Sequence, residues 1–332
     1  MRIREYLLVL VIILASSQAS AQCVLDTSSE DAGVPPTTLF IPGFTLFIDA
    51  DAPADTAILL KDSGRDSNRD GKVRFINCEI GEAYGKSVTA LLPPSPTQNL
   101  FNTKVEGIAI KPRWNNGIAF GHFPSRASMT ANAFEYPAVS FFRIEFYKTQ
   151  KRLRLSNPNG DVLLEPGHIA YNWVSSDNSN NVGQKLNIGE IKVISTPVCR
   201  LDGEKTVDFN TVSATNINNG IKRPLNFSLT CATDYGSYST SAALSTQTPT
   251  ADKSFIQVTD SGNNLDRLKI RVDDSNGQPL LVDGTRSEIK RAISSDTAAQ
   301  FTWSATLLRA SGTLLPENGP FTANAEIVLQ VN

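Results

Sequence analysis

The sequence predicts an all-β protein built of sandwiches, and three observations carry that prediction. No amphipathic helix of useful length can be drawn. Segments with an apolar residue at every second position recur through the chain instead. Between them stand Asp-Gly and Asn-Gly pairs, in "RDG", "WNNG" and "NPNG", which accept the positive φ of tight hairpin turns. Several short antiparallel strands at this spacing pack as β-sandwiches.

Residues 1–21 read as an export signal and take no part in the fold. Arg2 and Arg4 form a charged start, Leu7 to Leu14 is an unbroken apolar run, and Ala19-Ser20-Ala21 offers the small residues of a cleavage site. A membrane anchor would need about 20 apolar residues. Lipid attachment at Cys23 would need a small residue before it, and Gln22 is not small. Removing the signal leaves 332 − 21 = 311 residues, enough for two domains of roughly 100–200 residues each.

In the first of these, strands are expected at 39–49, 72–80, 104–114, 139–149 and 168–176. In the second they are expected at 223–231, 267–272 and 301–308, and in a terminal segment beginning at Gly319. There Phe321, Ala323, Ala325, Ile327, Leu329 and Val331 share one face, while Thr322, Asn324, Glu326 and Gln330 share the other. Ser195-Thr196-Pro197 breaks a strand, which puts the domain boundary between 22–195 and 196–332.

The balance of 31 basic against 33 acidic residues leaves no field strong enough for nucleic acid or an anionic membrane. Four cysteines in an exported chain favour two disulfides. The wide gap between Cys78 and Cys199 favours pairing Cys23 with Cys78 and Cys199 with Cys231. Zinc is disfavoured, because no C-x-x-C pair exists and His122 and His168 are the only histidines. Segment 66–77 partly matches a calcium loop. Its twelfth position, however, is Asn77 and not glutamate, and Arg65, Arg69, Lys72 and Arg74 crowd it, so a hairpin turn is the simpler reading. No metal or other cofactor is expected.

Catalysis finds no support either. "SEIK" at 287–290 matches Ser-x-x-Lys without its partner motifs, and no nucleophile elbow, phosphate loop or dinucleotide fingerprint occurs. Sugar recognition needs an aromatic face beside amide and carboxylate groups. Two places offer both: Trp114, Asn115 and Asn116 in "RWNNG", and Tyr171, Asn172 and Trp173 in "AYNWVSSDNSNN". The competing reading makes both tryptophans core residues, as buried tryptophans often are in sandwiches.

From Pro197 onward the order of parts resembles a pilin domain of chaperone–usher fimbriae. The matching pieces are Cys199, the "VDF" strand 207–209, "LNFSLTC" ending in Cys231, "FTWSATLL", and a Pro-x-x-Gly turn leading into "FTANAEIVLQV". The family carries a glycine fourteenth from the end, and Gly319 is that residue; its penultimate tyrosine is replaced here by Val331. The first half resembles the receptor-binding domain of two-domain tip adhesins, through "TKVEGIAIKPRW" and "FFRIEFYKTQ…NGDVLLEPGHIAYNWV".

The resemblance implies two immunoglobulin-like sandwiches, the C-terminal one lacking its last strand. Gly319, Phe321, Ala323, Ala325, Ile327, Leu329 and Val331 would then wall a groove, filled first by a strand of a periplasmic chaperone and then, at the outer-membrane usher, by the arm of an adjacent subunit. Only Gln22 precedes Cys23 after the signal, so the subunit would receive a strand and have none to give, as expected at a fimbrium tip on the cell surface. The 22–195 domain would be lectin-like and bind a host glycan or other surface receptor. The alternative is a structural or adaptor minor subunit without receptor binding.

Overall fold

The computed structural model describes residues 23–67, 71–178 and 181–331. Among these the strands dominate, and the single helix is the five-residue turn Ala214–Asn218, capped by the Ser213 hydroxyl accepting from Asn216 N. No helix of the described residues is long and apolar enough to cross a membrane. The chain divides into two compact units. Among the described residues, one comprises those up to Leu46, 53–151 and 160–193; the other comprises 47–52, 152–159 and those from Ile194 onward. Both are all-β, in keeping with two immunoglobulin-like sandwiches.

In the first unit the expected strands form, with shifted ends. The segment 39–49 splits into Thr37–Ile41 and Phe44–Asp49, because Pro42 supplies no backbone donor and Gly43 runs so close to Glu190 that a Cβ would lie 2.5 Å from its carbonyl oxygen. Segment 104–114 becomes Ile108–Asn115, since Gly107 at φ 92° turns the chain just before it. Ile108–Asn115 pairs along its whole length with Phe141–Lys148. A five-stranded sheet brings together Ser125–Ser128, Ala83–Val88, Gly167–Val174, Val182–Ile188 and Thr37–Ile41, in that order, the last pair parallel. Cys23 and Cys78 are bridged.

The second unit has two sheets. Five strands run in the order Val198–Leu201, Ile221–Ala232, Ala298–Arg309, Leu268–Asp273, Ile256–Val258. Three run in the order Asp283–Ser294, Ser237–Ser245, Glu326–Val331. The core between them is built on Phe227, Phe301 and Trp303, with Phe227 stacked on Phe301 at 4.8 Å and edge-on to Trp303 at 4.9 Å. Cys199 and Cys231 lie opposite each other on neighbouring strands and are bridged. The terminal strand is shorter than its sequence pattern. Phe321 to Ala325 keep the alternation without a ladder, held by mutual backbone hydrogen bonds between Thr259 and Thr322.

Candidate functional site

The second unit carries an open cleft beside its terminal strand. Glu326–Val331 pairs on one side only, with Ser237–Ser245, so its outer edge is free. Val198–Leu201 is likewise an edge of the other sheet, paired only with Ile221–Ala232. No strand joins the two edges among the described residues. Between them lies a cleft of about 670 Å³, bounded by Leu201 and Ile327. Its floor includes Phe227, Leu244, Val272 and Ala305, which are buried core residues. The cleft continues past Val207, Phe209 and Phe321 into a second hollow of about 840 Å³ that ends at Gly319 and Pro320.

The side chains of the terminal segment are less covered than those of the strand it pairs with. Phe321, Ala323, Ile327, Leu329 and Val331 point at the core yet are only half-buried, and Ala325 is exposed while still lining the cleft. On the strand beside them, Tyr238, Ala242 and Leu244 are fully covered. The difference is the cover that a further strand would provide, at about 1 kcal/mol for each half-exposed leucine or isoleucine. Gly319 opens the segment at φ 141°, and a Cβ there would lie 2.7 Å from Ser261 Cβ. The turn before it hangs on Asp260, which accepts from the backbone N–H groups of Gly262, Asn264 and Glu317. Burial alone would push the Asp260 carboxyl up; the Glu317 and Asn264 donors outweigh it and hold the pKa at about 2.

In the first unit, four of the six residues chosen for sugar recognition are buried: Trp114, Asn115, Asn172 and Trp173. Asn115 and Asn116 shape the hairpin tip, the former accepting from Gly117 N and the latter from Ile118 N and Ala119 N. Tyr171 is half-buried and donates to Asp177 Oδ1. Trp173 donates to Ser87 Oγ. Trp114 and Asn172, from the two separate segments, are brought together by Gln184: its Oε1 accepts from Trp114 Nε1 at 2.7 Å and from Asn172 Nδ2 at 3.4 Å.

The remaining sequence candidates are placed simply. His122 is exposed, and His168 is half-buried with Nε2 3.1 Å from Ala170 O. Burial lowers the His168 pKa against that carbonyl's opposite pull. Ser287 and Lys290 of "SEIK" lie on Asp283–Ser294, where Lys290 pairs with Glu288 at 2.7 Å. Of the calcium-like segment, residues 68–70 lie outside the described residues. The only grouping of potential metal ligands among the described residues is Cys23, Cys78 and Glu82, and its two sulfurs are already joined.

No curated protein matches the chain. Solved structures resemble it at low identity. A chain of the chaperone–tip adhesin pre-assembly complex of archaic Csu pili of Acinetobacter baumannii is 9% identical, covering 90% of this chain and 99% of that one at a TM-score of 0.41. The receptor-binding domain of a plasmid-borne adhesin of Klebsiella pneumoniae is 14% identical, covering 49% of this chain and 93% of its own at 0.38. A tip adhesin from Pseudomonas aeruginosa is 16% identical, covering 92% of each chain at 0.36. The family model described as "fimbrial protein" matches residues 189–332, the stretch that contains both free edges and the cleft between them. By this match residues 189–332 resemble the fimbrial protein family.

Proposed function

We propose that the protein is the tip adhesin of a chaperone–usher fimbrium, a binding protein and not an enzyme. Its C-terminal domain is completed by a strand from another polypeptide, and its N-terminal domain binds a glycan on the target surface. The observation that carries the first part is the cleft between two unpaired edges, floored by core residues. An extended segment laid there gains backbone hydrogen bonds along Glu326–Val331 and sets alternate side chains into the cleft beside Ile327 and Phe321. Left empty, the same surface exposes apolar side chains and strand edges, which drives aggregation. A periplasmic chaperone fits the first occupant, and an adjacent subunit the second, exchanged at an outer-membrane usher.

The tip position rests on what precedes the first strand of the pilin domain. The residues before Val198 are themselves in a strand, Ile191–Thr196, so this domain has no free leading arm to place in a neighbour. A subunit that accepts a strand and donates none stands at the end of a polymer.

The test is recovery of the chaperone complex from the periplasm. Ile327→Asp or Leu329→Asp places a charge in the cleft and is expected to lower the yield of complex roughly tenfold or more. Val328→Asp, on the exposed opposite side of the same strand, is expected to leave it unchanged. Equal yields from all three would overturn the cleft assignment.

A further inference from the structure

One hairpin of the N-terminal unit is apolar where a surface is expected to be polar. Ile118, at its turn, is 92% exposed, more than any other large apolar side chain among the described residues. Val139 is 66% exposed and packs against the same turn, where a Cβ on Gly117 would lie 2.4 Å from its Cγ2. Phe120, 41% exposed, carries the patch on to Phe141, whose ring meets it edge-on at 5.6 Å. Single exposed apolar residues are ordinary, but a contiguous group marks an interaction surface. The turn is also fixed, because Asn115 accepts from Gly117 N while Asn116 accepts from Ile118 N and Ala119 N. Ile118 is therefore presented in one position.

Charge is graded along the sheet face below the turn. Residues 114–121 and 136–142 contain no acidic or basic side chain. Phe120, Asn115 and Phe141 are cross-strand neighbours and form the first row; His122, Arg113 and Arg143 form the next row on the same face. That face is the outward one, since the alternate residues Trp114 and Phe142 are buried. Two residues along a strand span about 7 Å, so the basic row lies about that far below the first. The Arg143 guanidinium stands 4.2 Å over the Phe120 ring, and that of Arg65 stands 5.6 Å over Phe141. Arg113 and Arg143 both pair with Glu145, and Arg143 lies 3.5 Å from Asp62, so the row carries little net charge.

From this layering we infer that the hairpin inserts into a phosphatidylcholine bilayer surface, with Ile118, Val139 and Phe120 below the headgroups and Arg65 and Arg143 level with the phosphates. Apolar groups of interfacial proteins enter about 5–10 Å into the headgroup and acyl boundary, which matches the spacing between the apolar turn and the basic row. Arginines whose stems lie along apolar surface keep their heads in the polar layer. The acids that share the basic row remove the need for an anionic lipid, so a neutral headgroup suffices. This inference goes beyond the glycan reading and does not depend on it, because pure phospholipid carries no sugar.

The experiment is flotation of the full chain, purified with its chaperone, with vesicles of phosphatidylcholine alone. The wild type is expected to float with the vesicles. Ile118→Asp and Val139→Asp are each expected to lower the bound-to-free ratio roughly tenfold or more. Both side chains are largely exposed, so the thermal midpoint of the complex should stay unchanged. Leu314→Asp, which charges a 73% exposed leucine of the other unit, is expected to leave flotation unaltered. A wild type that stays unbound, or flotation insensitive to both hairpin variants, overturns the inference. So does binding seen only when phosphatidylserine is added and abolished by salt, which would mark surface charge instead of the apolar turn. A glycan array on the same complex tests the receptor reading separately. Glycan binding retained by Ile118→Asp while flotation is lost supports two distinct surfaces, and flotation with no glycan bound keeps the lipid site and removes the glycan reading.

Discussion

At the scale of single residues, Gly319 and Asp260 decide how the terminal segment leaves its turn. Gly319→Ala puts a Cβ against Ser261 at an angle of φ that L side chains avoid, and is expected to cost about 1–3 kcal/mol, read as a lowered thermal midpoint of the chaperone complex. Asp260 gives a pH dependence whose sign follows from its lowered pKa. Its contribution is full above the ordinary carboxylate value of about 4 and fades as pH falls toward 2. The gap in thermal midpoint between wild type and Asp260→Asn should therefore narrow between those two values; a gap constant with pH would refute the role.

Residue-scale legibility was uneven. The alternation from Phe321 to Val331 can be read directly, because a period of two is visible without a fold, and only Ala325 departs by standing exposed. Trp114 and Asn172 can be selected as aromatic and amide, but their meeting at Gln184 cannot, because it depends on pairing between strands far apart in the chain.

At the scale of elements, the disulfide and the long strands set the stability of the C-terminal unit. Cys199 and Cys231 are 32 residues apart in sequence and face each other on paired strands. Closing such a loop in the unfolded chain is worth about 3–4 kcal/mol. The Cys199→Ser, Cys231→Ser pair of changes should lower the unfolding free energy of the chaperone-bound domain by about that much, seen as a shifted denaturant midpoint with little change in slope.

Strands with a clean period of two, such as Ile221–Ala232 and Leu268–Asp273, were legible. Asp283–Ser294 was not, although it is twelve residues long. It is an edge strand with mostly exposed side chains, and register shifts between Tyr238 and Thr240 and between Ala243 and Ser245 break its pairing. Those bulges erase the periodicity on which sequence reading depends.

At the scale of the whole molecule, the central claim is that the C-terminal sandwich is unfinished and is completed from outside. Amide hydrogen exchange, with the chain alone against the chain bound to its periplasmic chaperone, tests this most directly. Added backbone pairing should slow exchange in Glu326–Val331 and in the segment following Val198, the two edges of the cleft. The outer edges Ile256–Val258 and Asp283–Ser294 should be unchanged. Protection gained at those outer edges, with none along Glu326–Val331, would contradict the account.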